Sequence, residues 1–185
     1  MREWIEDDFV GGHPALDFVN TVDGQDKSRD RTRLTDWQDF QSWALASGLF
    51  DTSPTTVDSD LLLMEIHELR EAGFAVLSAL AHGHEVPDEA EKLLMKKVRD
   101  ALSRAAFVHR GEAFSWEASG ASSTVVVDRL VLAFEALLRS DELKRLRECG
   151  RCSWLFLDHG RGRGRRWCNM KTCGNRAKVE TFRSR

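Results

Sequence analysis

The chain has 185 residues, 42% of them apolar and 31% charged, with a net charge of −3 at pH 7. That is enough for one ordinary domain, or one domain with a small appended module, and no run approaches the roughly 18–20 apolar residues that a membrane span requires. The acidic opening, MREWIEDDFV, does not read as a secretory signal, so a cytoplasmic setting with reduced thiols is expected.

In chain order, GGHPALDFVNTVDG (residues 11–24) opens with glycines, and Pro14 suits the first turn of a short helix. A mixed loop, QDKSRDRTR, follows. Thr35 with Gln38 three residues on reads as a capping box, and Trp37, Phe40, Trp43 and Ala44 then share one helical face as far as a stop at Gly48. Residues 53–60 are a polar linker. From 60 to 81, Leu62, Ile66, Leu69, Val76, Leu77 and Leu80 keep helical spacing, and Gly83 ends the segment. Pro87 starts another helix, with Leu93, Leu94, Val98 and Leu102 as its stripe. Phe107, Val108, Phe114 and Trp116 on either side of RGE predict a β-hairpin. The stretch SSTVVVDRLVLAFEALLRS is ambiguous at its β-branched start and helical from Leu130. The fold class expected is mainly α: a helical N-terminal domain (1–145) with one small hairpin, and a C-terminal module (146–185) too short to bury a core of its own without a staple.

All four cysteines lie in that module, spaced Cys149-x2-Cys152-x15-Cys168-x4-Cys173. Zinc takes four thiolates at tetrahedral corners, and a C-x2-C pair wraps one side of the ion in a knuckle that Gly150 would ease. The fifteen intervening residues have room for a two-stranded excursion, out along SWLFLD and back through RRW, with GNRAKVETFRSR as a terminal helix. This is a treble-clef-like outline. A redox C-x-x-C pair, disulfides and an iron–sulfur centre are the competing readings, and His159 is a fifth candidate ligand between the pairs. A closed four-thiolate site leaves no position for water, so its Zn2+ would be structural and worth on the order of 10–16 kcal/mol to the module. Cys173→Ser is then expected to unfold the tail and leave most of the body intact.

The stretch CGRCSWLFLDHGRGRGRRWCNMKTCGNRAKVETFRSR resembles the CGNR zinc finger, through WLFLD, RRWC and the tetrapeptide Cys173-Gly174-Asn175-Arg176. The stretch GHPALDFVNTV resembles the opening of the ABATE-type domain that precedes such fingers. The resemblance implies a bacterial, stress-induced transcription regulator with Cys149, Cys152, Cys168 and Cys173 as metal ligands.

Charge is divided unevenly. Residues 144–185 hold 13 Lys and Arg against 3 Asp and Glu, a net of +10; subtracted from totals of 27 and 30, this leaves 14 against 27, or −13, for residues 1–143. A basic end on an acidic body points to a polyanion partner, DNA first. Arg161, Arg163, Arg165, Arg166, Lys171, Arg176, Lys178 and Arg183 are the candidate contacts. Simple attraction between the two halves is the alternative, as is an RNA-binding or protein-interaction module with a structural zinc. Trp154, Phe156, Trp167 and Phe182 are the expected small core of the finger. Arg176 is equally suited to nucleic acid and to a thiolate, and Asn175 to capping the terminal helix. In the body, Asp17, Asn20 and Asp23, with His13 nearby, form a candidate site for a small polar ligand; helix capping explains the same residues. No phosphate loop, nucleophile elbow or base–nucleophile pair is legible, so an enzyme is not expected.

Overall fold

The structure, a computed structural model, describes residues 3–23, 27–120, 123–160 and 164–183. Helix α1 (Pro14–Val19) begins on Pro14, with the His13 ring accepting the Ala15 N–H. Two short strands follow, β1 (Val22–Asp23) and β2 (Arg31–Thr32), paired antiparallel. In α2 (Trp37–Ala46) the cap is Asp36, not Thr35. Asp36 accepts the Asp39 N–H at 2.9 Å, while the Thr35 hydroxyl is spent on the Asp39 side chain. Helix α3 (Ser59–His82) closes on Gly83, whose φ of 66° is left-handed. Pro87 stands just before α4 (Asp88–Arg104). The expected hairpin is β3 (Ala106–Arg110) and β4 (Ala113–Glu117), turning at Gly111. The β-branched start of α5 (Thr124–Arg139) is helical because Val126, Val127, Leu130, Val131 and Phe134 then bury together, which outweighs the β preference of three valines.

The core of the body packs Leu16, Phe18, Phe40, Trp43, Ile66, Leu77, Leu94 and Phe134, all fully buried. Helices α3 and α5 meet closely at Gly73, where a Cβ would stand 2.3 Å from the Phe134 ring. Among the described residues no helix is long and apolar enough to cross a membrane.

The C-terminal segment departs from the expected hairpin. Strands β5 (Leu146–Glu148) and β6 (Leu155–Leu157) pair antiparallel, Leu146 opposite Leu157, and flank the first cysteine pair. The RRW segment is not a strand. Leu146, Leu155 and Leu157 are almost fully buried in the body's apolar cluster, whereas Arg165 and Arg166 are exposed, so burial selects LRE over RRW as the partner. A π-helical turn (Met170–Gly174) leads into α6 (Asn175–Arg183), which buries no residue. The protein is therefore mainly α, with three two-stranded sheets among the described residues and a treble-clef-like C-terminal module.

The module is sewn to the body. The Asn20 amide, 1% exposed, accepts the Leu155 N–H and donates to the Leu155 carbonyl, both at 2.9 Å. The Trp154 ring nitrogen donates to the Val22 carbonyl, and the Leu157 N–H to the Gly11 carbonyl. Glu148 receives Lys27 and Ser78, each at 2.6 Å.

Candidate metal centre

Strand β6 serves two cores by its alternation. Leu155 and Leu157 point into the body, and Phe156 points into a second cluster formed with the four cysteines, against which Trp154 and Trp167 pack. Phe182, expected in this small core, is 82% exposed: α6 is too short and too charged to fold back over the cluster. Gly150 does not need a left-handed backbone. It is small because Trp167 lies 3.1 Å from where its Cβ would be, and its N–H donates to the Arg166 carbonyl. Gly174 likewise admits Met170 and Trp167 at the start of α6. Asn175 does not cap α6; its amide donates back to the Lys171 carbonyl, while Asn169 caps the turn by accepting the Lys171 N–H at 2.7 Å.

Cys149, Cys152, Cys168 and Cys173 are buried, none is in a disulfide, and their sulfurs all lie within 4.8 Å of one another. The Cys152–Cys168, Cys168–Cys173 and Cys173–Cys152 separations are each 3.7 Å. A tetrahedron with metal–sulfur bonds of about 2.3 Å has edges of about 3.8 Å, so the donor set fits zinc in both chemistry and spacing. Hydrogen bonds from Cys152, Cys168 and Cys173 hold the Cys149 thiol far below its ordinary range, while Cys168 is pushed far above it, first by Cys149. Four such groups ionise together only around a cation. His159 stands apart, paired with Glu142 at 3.3 Å.

A cleft of about 370 Å3 opens beside three of the sulfurs, lined also by Arg31, Arg151, Arg176, Trp154 and Asp23. Arg151 binds Glu180 of α6, and its buried Nε has no partner among the described residues. Arg31 and Arg151 escaped the sequence reading. Arg151 had a signal, a cation between two thiolates; Arg31 reaches the site from more than a hundred residues away and had none.

The remaining candidates are distributed as follows. Arg161 and Arg163 fall outside the described residues. Arg165 is tied down, its guanidinium 4.0 Å above the Phe156 ring and bonded to the Val10 carbonyl. Arg166 lies over Trp167, and Lys171 faces Asp7 at 3.4 Å. Arg176, Lys178 and Arg183 are exposed and make no ion pair among the described residues. In the body, Asp17 accepts the Gly11 N–H at 2.8 Å, Asn20 is spent on Leu155, and Asp23 stands half exposed, 3.8 Å from Arg33.

A family model described as "Putative stress-induced transcription regulator", the ABATE domain, matches residues 12–149. The chain belongs to the ABATE family. A second model, the CGNR zinc finger, matches residues 145–185 and contains all four cysteines. Among curated proteins, none matches this chain.

Proposed function

We propose that this ABATE protein is a transcription regulator whose CGNR finger binds duplex DNA, mainly through phosphate, while its acidic helical body senses a ligand or mediates assembly. The observation that supports this most is how differently the two parts use their cations. Lys27, Arg29, Arg33, Lys97 and Arg104 in the body are each paired with a carboxylate. On α6, Arg176, Lys178 and Arg183 stand exposed, and the one acid of that helix, Glu180, is taken by Arg151. Attraction between body and tail does not account for them. Beyond pairs three residues apart in sequence and the His159–Glu142 contact, Lys171–Asp7 is the one ion pair among the described residues that joins a tail cation to a body acid. A Zn2+ held by the four cysteines would fix the root of α6 and carry out no chemistry of its own.

If α6 and its neighbours engage four to six phosphates, log affinity falls with log salt at a slope of roughly −4 to −5. Arg176→Ala with Lys178→Ala should weaken all sequences alike and flatten the slope by about 2. A flat slope, or preference for single-stranded RNA, would overturn this reading. The exposed Phe182 and Val179 favour a second reading, in which the finger docks on RNA bases or on another protein. Ligand sensing, expected around Asp17, Asn20 and Asp23, falls to Asp23, which faces the cleft beside the sulfurs. A thermal-shift screen of small polar compounds on the parent and on Asp23→Ala tests it.

A further inference from the structure

Helix α6 is anchored at its root. The turn that carries Cys173 leads into it, and none of its nine residues is buried. So short a helix is marginal in water by itself. Its sides differ. At about 100° per residue, Ala177, Glu180 and Thr181 fall on one side. That side faces the module: Ala177 and Thr181 line a groove of about 340 Å3 against Trp167, and Glu180 is bound by Arg151. The opposite side carries Phe182, Asn175 and Val179 within about 60° of arc. Val179 is 48% exposed and Phe182 82%. Cations edge this stripe on both sides. Arg176 and Arg183 stand about 40–60° beyond Val179, and Lys178 about 40° beyond Phe182. All three are exposed and make no ion pair among the described residues. Each edge continues into the module. Arg176 shares its cleft with Arg31, and Lys178 shares its groove with Trp167, over whose ring Arg166 lies.

We propose that this stripe reads thymine from the major groove of duplex DNA, with Val179 and Phe182 against the C5 methyl groups. The inference rests on the duplex reading above and gives it its base contacts. The stripe asks for an apolar floor between two rows of anions. The major groove of B-form DNA supplies both. It is about 12 Å wide, it admits a helix of about 10–12 Å, and a phosphate backbone runs along each wall. On its floor the thymine methyl is the apolar group, and the other groups that distinguish the bases are hydrogen-bond donors and acceptors. Helix α6 is about 13 Å long, enough to span about three or four base pairs. The A-form groove of RNA is too deep and narrow for side chains to read, and uracil lacks the methyl. A protein partner offers an apolar centre with a mixed polar rim, not an anionic row on either side. Asn175 is no reader, because its amide donates to the Lys171 carbonyl. Glu180, turned inward on Arg151, leaves the stripe with no carboxylate from its own helix.

Two pairs of duplexes test this on the full, zinc-loaded chain at one salt concentration. The first is a mixed-sequence A·T duplex of about 20 base pairs, with thymidine or with deoxyuridine in its place. The second is a G·C duplex with or without 5-methylcytosine, which sets a methyl at the same place in the groove. The methylated member of each pair should bind about four- to fifteenfold tighter, the value of one or two buried methyls. Val179→Ala with Phe182→Ala should bring both ratios to about 1 and leave the salt slope unchanged. The fold should persist, because neither side chain is buried and alanine favours a helix; zinc content and the far-ultraviolet spectrum check it. Arg176→Ala with Lys178→Ala should do the reverse, flattening the slope and keeping the ratios. A steep salt slope with both ratios near 1 would overturn this proposal and leave duplex binding standing. So would ratios that survive the loss of Val179 and Phe182, or tighter binding to single-stranded RNA that Phe182→Ala abolishes. A flat slope would overturn both readings.

Discussion

Asn20 shows what a single buried amide can do. It satisfies both backbone groups of Leu155, 135 positions away, and nothing else in the described structure reaches them. Asn20→Ala leaves a buried N–H and a buried carbonyl unpaired, which should cost about 2–4 kcal/mol in denaturant unfolding. In the sequence Asn20 was legible as a polar residue with a task, but the task was invisible because its partner lies in the other half of the chain. Asp17 is a second case. Burial raises its carboxyl to about 7, against the opposing pull of the Gly11 N–H. The unfolded chain releases that proton near pH 4, so between about pH 4 and 7 the folded state holds one proton more. Stability from this group therefore falls as pH climbs through that window and is flat above it. Asp17→Asn keeps an acceptor for Gly11 and loses the charge. It should gain about 1–3 kcal/mol over the parent near pH 8, with the gain vanishing near pH 4.

Elements were legible where one face decides them. Helices α3 and α4, the Gly83 stop and the β3–β4 turn stand where periodicity put them, although Leu80, expected on the α3 stripe, is 40% exposed. What failed was pairing. Nothing local distinguishes LRE from RRW as the partner of LFL; the choice depends on Leu146 finding the body's core. The same limit hid Gly73. Helix propensity favours alanine there by about 1 kcal/mol, yet a Cβ would strike the buried Phe134 ring that wedges between α3 and Phe18. Gly73→Ala should therefore destabilise by about 1–3 kcal/mol, read as a shift in the denaturant midpoint with the slope unchanged.

At the scale of the whole molecule, metal and core are coupled. Elemental analysis of protein purified without added metal should give one zinc per chain; stoichiometric iron or none would remove the assignment. Because Leu146, Leu155 and Leu157 belong to the body's cluster while Phe156 belongs to the cysteines', stripping the metal should lower the melting temperature of the body too. The expectation that Cys173→Ser spares the body gives way to a single, earlier transition in calorimetry. Two well-separated transitions would show the seam to be weak. The cysteine spacing made the four ligands legible; the seam was not, because its apolar residues look like any short strand.

The contacts of Gly11, Asn20 and Val22 with Leu157, Leu155 and Trp154 fix an order of events during synthesis. The residues that flank the first α-helix to leave the ribosome are bonded in and beside the last of the described strands. Until residues 146–157 have emerged, α1 has no permanent neighbour on that side, and the buried Asn20 amide faces water or the wrong backbone. Closing so long a loop is slow, and the half-made chain exposes apolar surface meanwhile. A chain that stops at residue 145 should therefore aggregate or be degraded in a cell, while the full chain, once its tail is out, locks both ends in one step.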